Sequence, residues 1–150
     1  MSSNNKKIGY TTGVFDLFHV GHLEILRKAK ENCDYLIVGV STDELVQEYK
    51  NKKPVITFEH RMEIIKSIKY VDEVVVQKDR DKLSALHKIG FHIMFVGDDW
   101  KGSSIFLELE KKFQKYGVEI FYFPYTKNIS STSLRSTLKR LIQEEEKDSN

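Results

Sequence analysis

The chain has a single cysteine among its 150 residues. Cys33 therefore excludes an intrachain disulfide and suits a reducing, cytoplasmic setting. Its expected place is that of a small apolar residue, buried or half-buried. No apolar run approaches the ~20 residues of a membrane span, so a membrane-embedded class is not expected. The opening residues Met1-Ser2-Ser3-Asn4-Asn5 are polar and do not read as a secretion signal. Charge of one sign is lacking too: 24 Lys and Arg face 22 Asp and Glu, for a net charge of +2. That balance calls for no nucleic-acid partner. The dinucleotide fingerprint G-x-G-x-x-G and the Walker loop are both missing. There is no internal repeat, linker or low-complexity boundary, so the length fits one domain with one core. Residues 1–6 are expected to be a flexible N-terminus, 7–142 the domain, and 143–150 a polar tail that frays.

What is present is an alternation of strand-like and helix-like segments. Lys7–Thr12 is rich in β-formers, and Gly21–Lys30 has helical spacing. Tyr35-Leu36-Ile37-Val38-Gly39-Val40 is a nearly continuous apolar run, as in a strand buried on both faces. Thr42 is placed to cap a short helix. A polar stretch from Lys50 to Pro54 follows, then a helix over 58–68 and a strand at Val74-Val75-Val76. Helices over 83–89 and 106–116, strands over 93–96 and 119–123, and a last helix from near Thr132 complete the pattern. This predicts an α/β class: one doubly wound, Rossmann-like domain of about five parallel strands with helices on both faces.

The most informative segment is Gly13-Val14-Phe15-Asp16-Leu17-Phe18-His19-Val20-Gly21-His22. Two histidines stand where a strand gives way to a helix. Unpaired N–H groups at a helix start, with the positive end of its dipole, favour an anion. Gly21 permits close approach. His19 and His22 add imidazole donors, each suited to a phosphate oxygen that gains charge in a transition state. His60, His87 and His92 form no metal-ligand pattern and read as surface or helix-flank residues.

H-V-G-H after T-x-G-x-F-D resembles the H-x-G-H signature of the cytidylyltransferase branch of the nucleotidyltransferase superfamily. Further blocks agree in order and spacing over roughly residues 7 to 140: Val40-Ser41-Thr42-Asp43-Glu44, Glu59-His60-Arg61, and Lys69-Tyr70-Val71-Asp72-Glu73-Val74. Gly97-Asp98-Asp99-Trp100 resembles the G-D-D-W block of glycerol-3-phosphate cytidylyltransferases. Ile129-Ser130-Ser131-Thr132 stands where that family has R-T-E-G-I-S-T-T, but Tyr125-Thr126-Lys127-Asn128 replaces R-T-E-G. Lys127 offers a charge near the lost arginine.

The resemblance implies strand order 3-2-1-4-5, which brings the histidine and G-D-D-W motifs to one crevice beyond the strand ends. It implies transfer of a cytidylyl group from CTP to a small phosphate monoester, glycerol phosphate first, giving a CDP-linked product and pyrophosphate. Other polyol phosphates, phosphoethanolamine and phosphocholine remain open as acceptors. So do ATP, as in FAD synthetase-like relatives, and a non-catalytic nucleotide-binding regulator. His19, His22, Lys50 and Lys52 are the implied catalytic residues, holding the phosphates of two anions that must approach each other. Lys53 is a neighbour in the same loop, and Pro54 ends it. Thr12, Gly13, Phe15, Arg61, Asp98, Ser130, Ser131 and Thr132 are expected at the nucleotide, the hydroxyl run acting with a helix N-terminus.

Arg61 lies in the first turns of a helix, where the dipole disfavours a cation, so a ligand or a salt bridge is expected there. Asp16, Lys52, Lys69, Asp99, Trp100, Thr126 and Lys127 are expected at the acceptor. Lys69 stands in place of a family arginine and lacks its bidentate fork. Trp100 offers a flat face to a base or against water. Mg²⁺ is expected as cofactor, bound mainly through phosphates; Asp16 is either a ligand or a turn cap. A homodimer with the R-Y-V-D-E-V region near its interface is implied, with no nucleic-acid or membrane partner.

Overall fold

The structure, a computed structural model, describes residues 6–124 and a final helix over 131–148, with side chains described from 136 to 145 in that helix. Five strands form one parallel sheet: β1 Ile8–Gly13, β2 Tyr35–Ser41, β3 Glu73–Gln77, β4 Ile93–Gly97 and β5 Glu119–Phe123. Their order is β3-β2-β1-β4-β5, as expected. The helices are α1 Val20–Glu31, α2 Asp43–Lys50, α3 Phe58–Lys66, α4 Lys82–Ile89, α5 Ser104–Gln114 and α6 Ser131–Asp148.

Successive side chains on a strand point to opposite faces, and the sheet divides its core accordingly. Leu36, Val38 and Val40 of β2, with Ile93 and Phe95 of β4, pack on one face against Leu26 and Ala29 of α1 and Ile65 of α3. Tyr10, Ile37 and Met94 pack on the other face with Leu86 of α4 and Phe106, Leu109 and Phe113 of α5. Cys33 is half-buried. Its Sγ lies against Gly9, where a Cβ would stand 2.7 Å from the sulfur and 2.6 Å from the Phe95 ring. Only glycine lets Cys33, after α1, and Phe95 of β4 close on the strand there.

Caps confirm the local reading. Thr42 Oγ1 accepts from the Leu45 N–H at the start of α2. His92 is structural: its Nδ1 accepts from the Ile8 N–H. Helix α6 runs past residue 142 to Asp148. The run Glu144-Glu145-Glu146-Lys147 consists of good helix formers, which lets the helix continue. No helix among the described residues is long and apolar enough to cross a membrane.

The sheet opens at its carboxyl edge. Strand β1 pairs with β2 along its whole length, from Ile8 to Gly13. With β4 it pairs only at Gly9 and Tyr10. Beyond them a side chain replaces the ladder, as buried Thr11 Oγ1 donates to the Phe95 carbonyl at 3.0 Å. The strands on either side of the topological switch point therefore diverge where a ligand enters a doubly wound sheet.

Candidate active site

A cavity of about 850 Å³ lies over that edge, a size that suits a nucleotide with a small second substrate. Its walls come from the β1–α1 loop, the α2–α3 connection, the loop after β3 and the turn after β4.

The β1–α1 loop is the most constrained wall. Phe15 and Leu17 hold φ of 55° and 50°, left-handed values uncommon for bulky residues. A Cβ on Gly13 would meet the Phe15 ring at 3.0 Å. Asp16 is buried. Its carboxylate accepts from the Val55 N–H at 2.7 Å and the Ile56 N–H at 2.8 Å. That geometry gives Asp16 a turn-fixing role. Among the described residues no cluster of His, Cys, Asp or Glu has the makings of a metal site.

The two histidines cap α1 reciprocally. His19 Nδ1 accepts from the Gly21 N–H at 3.0 Å, and His22 Nδ1 accepts from the His19 N–H at 3.2 Å. This is a capping box built from imidazoles. With Nδ1 accepting, the proton of each neutral ring is assigned to Nε2. The rings stack with centroids 4.0 Å apart. His19 Nε2 is shut off from solvent and has no hydrogen-bond partner among the described residues. A buried donor without a partner marks a place for an acceptor atom. Burial lowers the pKa of His19. Burial, then His19, push His22 down to about 4, against the opposing pull of Asp16. Both rings are neutral donors at pH 7. The first turn of α1 carries no acidic residue, so its positive end is left for an outside anion.

Lys50, Lys52, Lys53 and Pro54 line the cavity from the α2–α3 connection. Lys50 Nζ lies 5.6 Å from the Tyr49 ring centre, and the Arg80 guanidinium covers the same ring at 4.6 Å. On the far wall Asp99 and Trp100 belong to a 3₁₀ turn, Asp98–Trp100, directly after β4. Trp100 is 38% exposed and packs on Phe106. Thr12, Gly13, Phe15, Asp16, His22, Lys50, Lys52, Asp99 and Trp100 thus meet around one cavity, with His19 stacked behind His22.

Three expected residues lie elsewhere. Arg61 is fully buried and does not line the cavity. It donates to the carbonyls of Ile56, Val14 and Ser41 and to Asp43 Oδ1, at 2.9, 2.7, 2.8 and 2.6 Å. Its side chain is taken up by a salt bridge and by backbone of the cavity wall. Lys69 is exposed in the α3–β3 connection, at the amino end of β3 and the opposite edge of the sheet from the cavity. Its ammonium lies over Tyr70. Asp98 is exposed and off the cavity wall, because the tight turn after Gly97 sends it and Asp99 in different directions. Ser130, Thr126 and Lys127 lie outside the described residues, as do the side chains of Ser131 and Thr132; the backbone of α6 does begin at Ser131.

Sequence reasoning missed Arg80 and Lys82, which line the cavity after β3. The available signal was the position of Lys82 as first residue of α4, an end that disfavours a cation unless an anion faces it.

Two measurements check these assignments. Replacing Arg61 by lysine loses the planar fork that reaches several carbonyls at once. Arg61→Lys is expected to lose on the order of 3 kcal/mol in denaturant unfolding, whereas a purely nucleotide-binding arginine would leave stability unchanged. The lowered histidine pKa values mean that the unfolded chain binds more protons than the folded one between about pH 4 and 6.5. Their contribution to stability is complete above pH 6.5 and is lost as pH falls toward 4. Melting temperature is expected to drop between pH 7 and 5, and His22→Gln to flatten that slope; an equal slope in both proteins contradicts the assignment.

Comparison with known proteins identifies the family. Residues 10–137 match the family model described as cytidylyltransferase-like. The glycerol-3-phosphate cytidylyltransferase of Bacillus spizizenii is 41% identical over 132 residues, covering 87% of this chain and 96% of that protein. An FAD synthase of Thermococcus sibiricus is 30% identical over 143 residues, covering 94% and 97%. The crystal structure of a lipopolysaccharide core biosynthesis protein from Thermoplasma volcanium superposes with a TM-score of 0.68 at 26% identity, over 83% of this chain and all of that one. The chain belongs to the cytidylyltransferase-like family of nucleotidyltransferases.

Proposed function

We propose that this protein transfers a cytidylyl group from CTP to a small phosphate monoester, with glycerol phosphate as the acceptor. The observation that carries the proposal is the capped start of α1: two stacked, neutral imidazoles with their Nε2–H donors beside an anion-favouring helix end, at the point where β1 and β4 diverge. The glycerol-3-phosphate cytidylyltransferase relative supports the choice of acceptor.

An oxygen of the acceptor phosphate attacks the α-phosphorus of CTP in line. A phosphorus–oxygen bond forms on one side as the bond to the bridging oxygen of the β-phosphate breaks on the other. Pyrophosphate leaves and a CDP-linked product remains. No side chain is needed as a nucleophile; the chain's residues position and stabilise charge. The histidines donate to oxygens of the α-phosphoryl group. Lys50 and Lys52 offset repulsion between the two anions. The donor set supports Mg²⁺ arriving on the triphosphate, where it supplies charge neutralisation. The hydroxyls at the start of α6, with Thr126 and Lys127, are assigned to the outer phosphates and the acceptor.

Pyrophosphate release with Mg²⁺ tests this across four nucleoside triphosphates and a panel of phosphate monoesters. Release is expected with CTP and a glycerol phosphate, and His22→Ala should lower it about 10²- to 10³-fold. Release with ATP and flavin mononucleotide alone would replace the proposal with adenylyl transfer, which the FAD synthase relative makes the competing reading. CTP binding without release would make the protein a nucleotide-binding regulator.

The same reading includes a homodimer and a cytoplasmic setting. Strand β3 is an edge strand, entered directly from the Lys69–Val74 block, and its Val76 is 44% exposed. Such an edge favours pairing with another chain. Sedimentation is expected to give a dimer at micromolar concentration; a monomer at all concentrations rules it out.

A further inference from the structure

We infer that Tyr49 is a positioning residue for the transfer: its ring gathers Arg80 and Lys50 and so holds the lysine loop against the segment before α4. The inference rests on the cytidylyl-transfer reading above and deepens it, by naming what places two cations on the cavity wall.

Tyr49 stands in the last turn of α2, three residues after the buried Val46 and four after the buried Leu45. Helical spacing puts it on their face, at the end where the helix reaches the cavity. Directly after the helix, Asn51 turns left-handed with φ of 53°. The chain then runs exposed through Lys52 and Lys53. The far end of this loop is pinned, since Asp16 holds the Val55 and Ile56 N–H groups. The near end meets the β3–α4 loop through Tyr49. The Arg80 guanidinium stands 4.6 Å from the ring centre and Lys50 Nζ 5.6 Å from it, both within cation–π reach.

The ring is what holds Arg80. Among the described residues no carboxylate pairs with the guanidinium, and no oxygen accepts from it. The acids beside it are engaged with backbone. Asp81 Oδ1 accepts from the Ser84 N–H as the cap of α4, and Asp79 Oδ1 accepts from the Asp81 N–H. Lys82, two residues on, turns instead to Thr12, donating to its Oγ1 at 3.3 Å. The Tyr49 hydroxyl makes no hydrogen bond among the described residues, so the contact belongs to the ring face and not to the oxygen.

A ring treats a cation differently from a carboxylate. A carboxylate would cancel the charge and compete with an incoming phosphate. The negative face of a ring attracts a cation without neutralising it, and at an exposed site it does so weakly. A charge-assisted hydrogen bond to a phosphate oxygen is the stronger attachment. Tyr49 is therefore suited to keep Lys50 and Arg80 at the cavity wall with their charge intact and to yield them to a substrate. Two anions approach each other in the transfer, and cations already in place lower the cost of bringing them together.

Tyr49→Leu, Tyr49→Phe and Arg80→Met test the inference by steady-state kinetics, thermal melting and limited trypsin cleavage read by mass spectrometry. The leucine variant is expected to lower kcat about 5- to 10-fold, leave the CTP KM within about threefold, and melt within about 2 °C of the parent. The phenylalanine variant keeps the ring face and should match the parent. In an Arg80→Met background the leucine change should cost no more than about threefold, because its partner is already gone. The bonds after Lys50 and Lys52 should be cut at least about threefold faster in Tyr49→Leu and Arg80→Met than in the parent and Tyr49→Phe. Phenylalanine as impaired as leucine, the full loss repeated in the Arg80→Met background, cleavage equal in all four proteins, or cleavage accelerated at every site alike overturns it. If the parent releases no pyrophosphate with any pair, the transfer reading fails on its own; the cleavage rates need no turnover and still decide whether Tyr49 holds the loop.

Discussion

The buried guanidinium of Arg61 holds the parts of this site in relation to one another. Its side chain has no exposed surface, and taking such an ion out of water costs several kcal/mol unless it is paired and its donors are used. Here they are used on backbone from three places: Val14 beside the histidine motif, Ser41 at the end of β2, and Ile56 before α3. Asp43 at the start of α2 supplies the opposite charge and also accepts from the Phe58 N–H. Asp16 makes the reverse connection, an anion in the histidine loop holding N–H groups of the α3 approach. The two ions tie one pair of loops together from opposite sides, and the lysine loop hangs between those ties.

This arrangement explains why the β1–α1 loop keeps left-handed backbone at Phe15 and Leu17. Such conformations persist only where surrounding contacts over-determine them. Arg61 holds Val14, Asp16 is pinned, and the reciprocal histidine cap fixes the far end. What the strain achieves is placement: both imidazoles are held at the start of α1 with Nδ1 consumed by the cap. The cap thus sets the tautomer of each ring as well as its position.

Much of this was legible in the sequence. Apolar runs and caps located every strand, and the H-x-G-H block located one wall of the cavity. Strand order came through resemblance, since periodicity gives elements and not neighbours. The placements that the sequence did not show share a cause. Arg61 sits 18 residues from Asp43 and 47 from Val14, and no local pattern connects them. The dipole argument did say that a cation in an early helical turn needs a partner, and it left salt bridge and ligand both open. Lys69 matched a block by position, yet the block enters β3 at the edge of the sheet away from the cavity. Asp98 and Asp99 are adjacent in sequence, but a 3₁₀ turn parts them.

Lys82 and Arg61 give the same signal and resolve it oppositely. Each is a cation near the start of a helix, against the dipole. Arg61 found its anion within the fold, at Asp43, and became a fastening of the cavity wall. Lys82 has only a hydroxyl, and the acids beside it are spent on capping. The difference follows from the groups themselves. A planar fork with five donors can be satisfied by carbonyls in several directions, whereas a compact ammonium gains most from one concentrated negative charge. The fold uses arginine where carbonyls converge from several directions, and leaves lysine at the edge of the cavity.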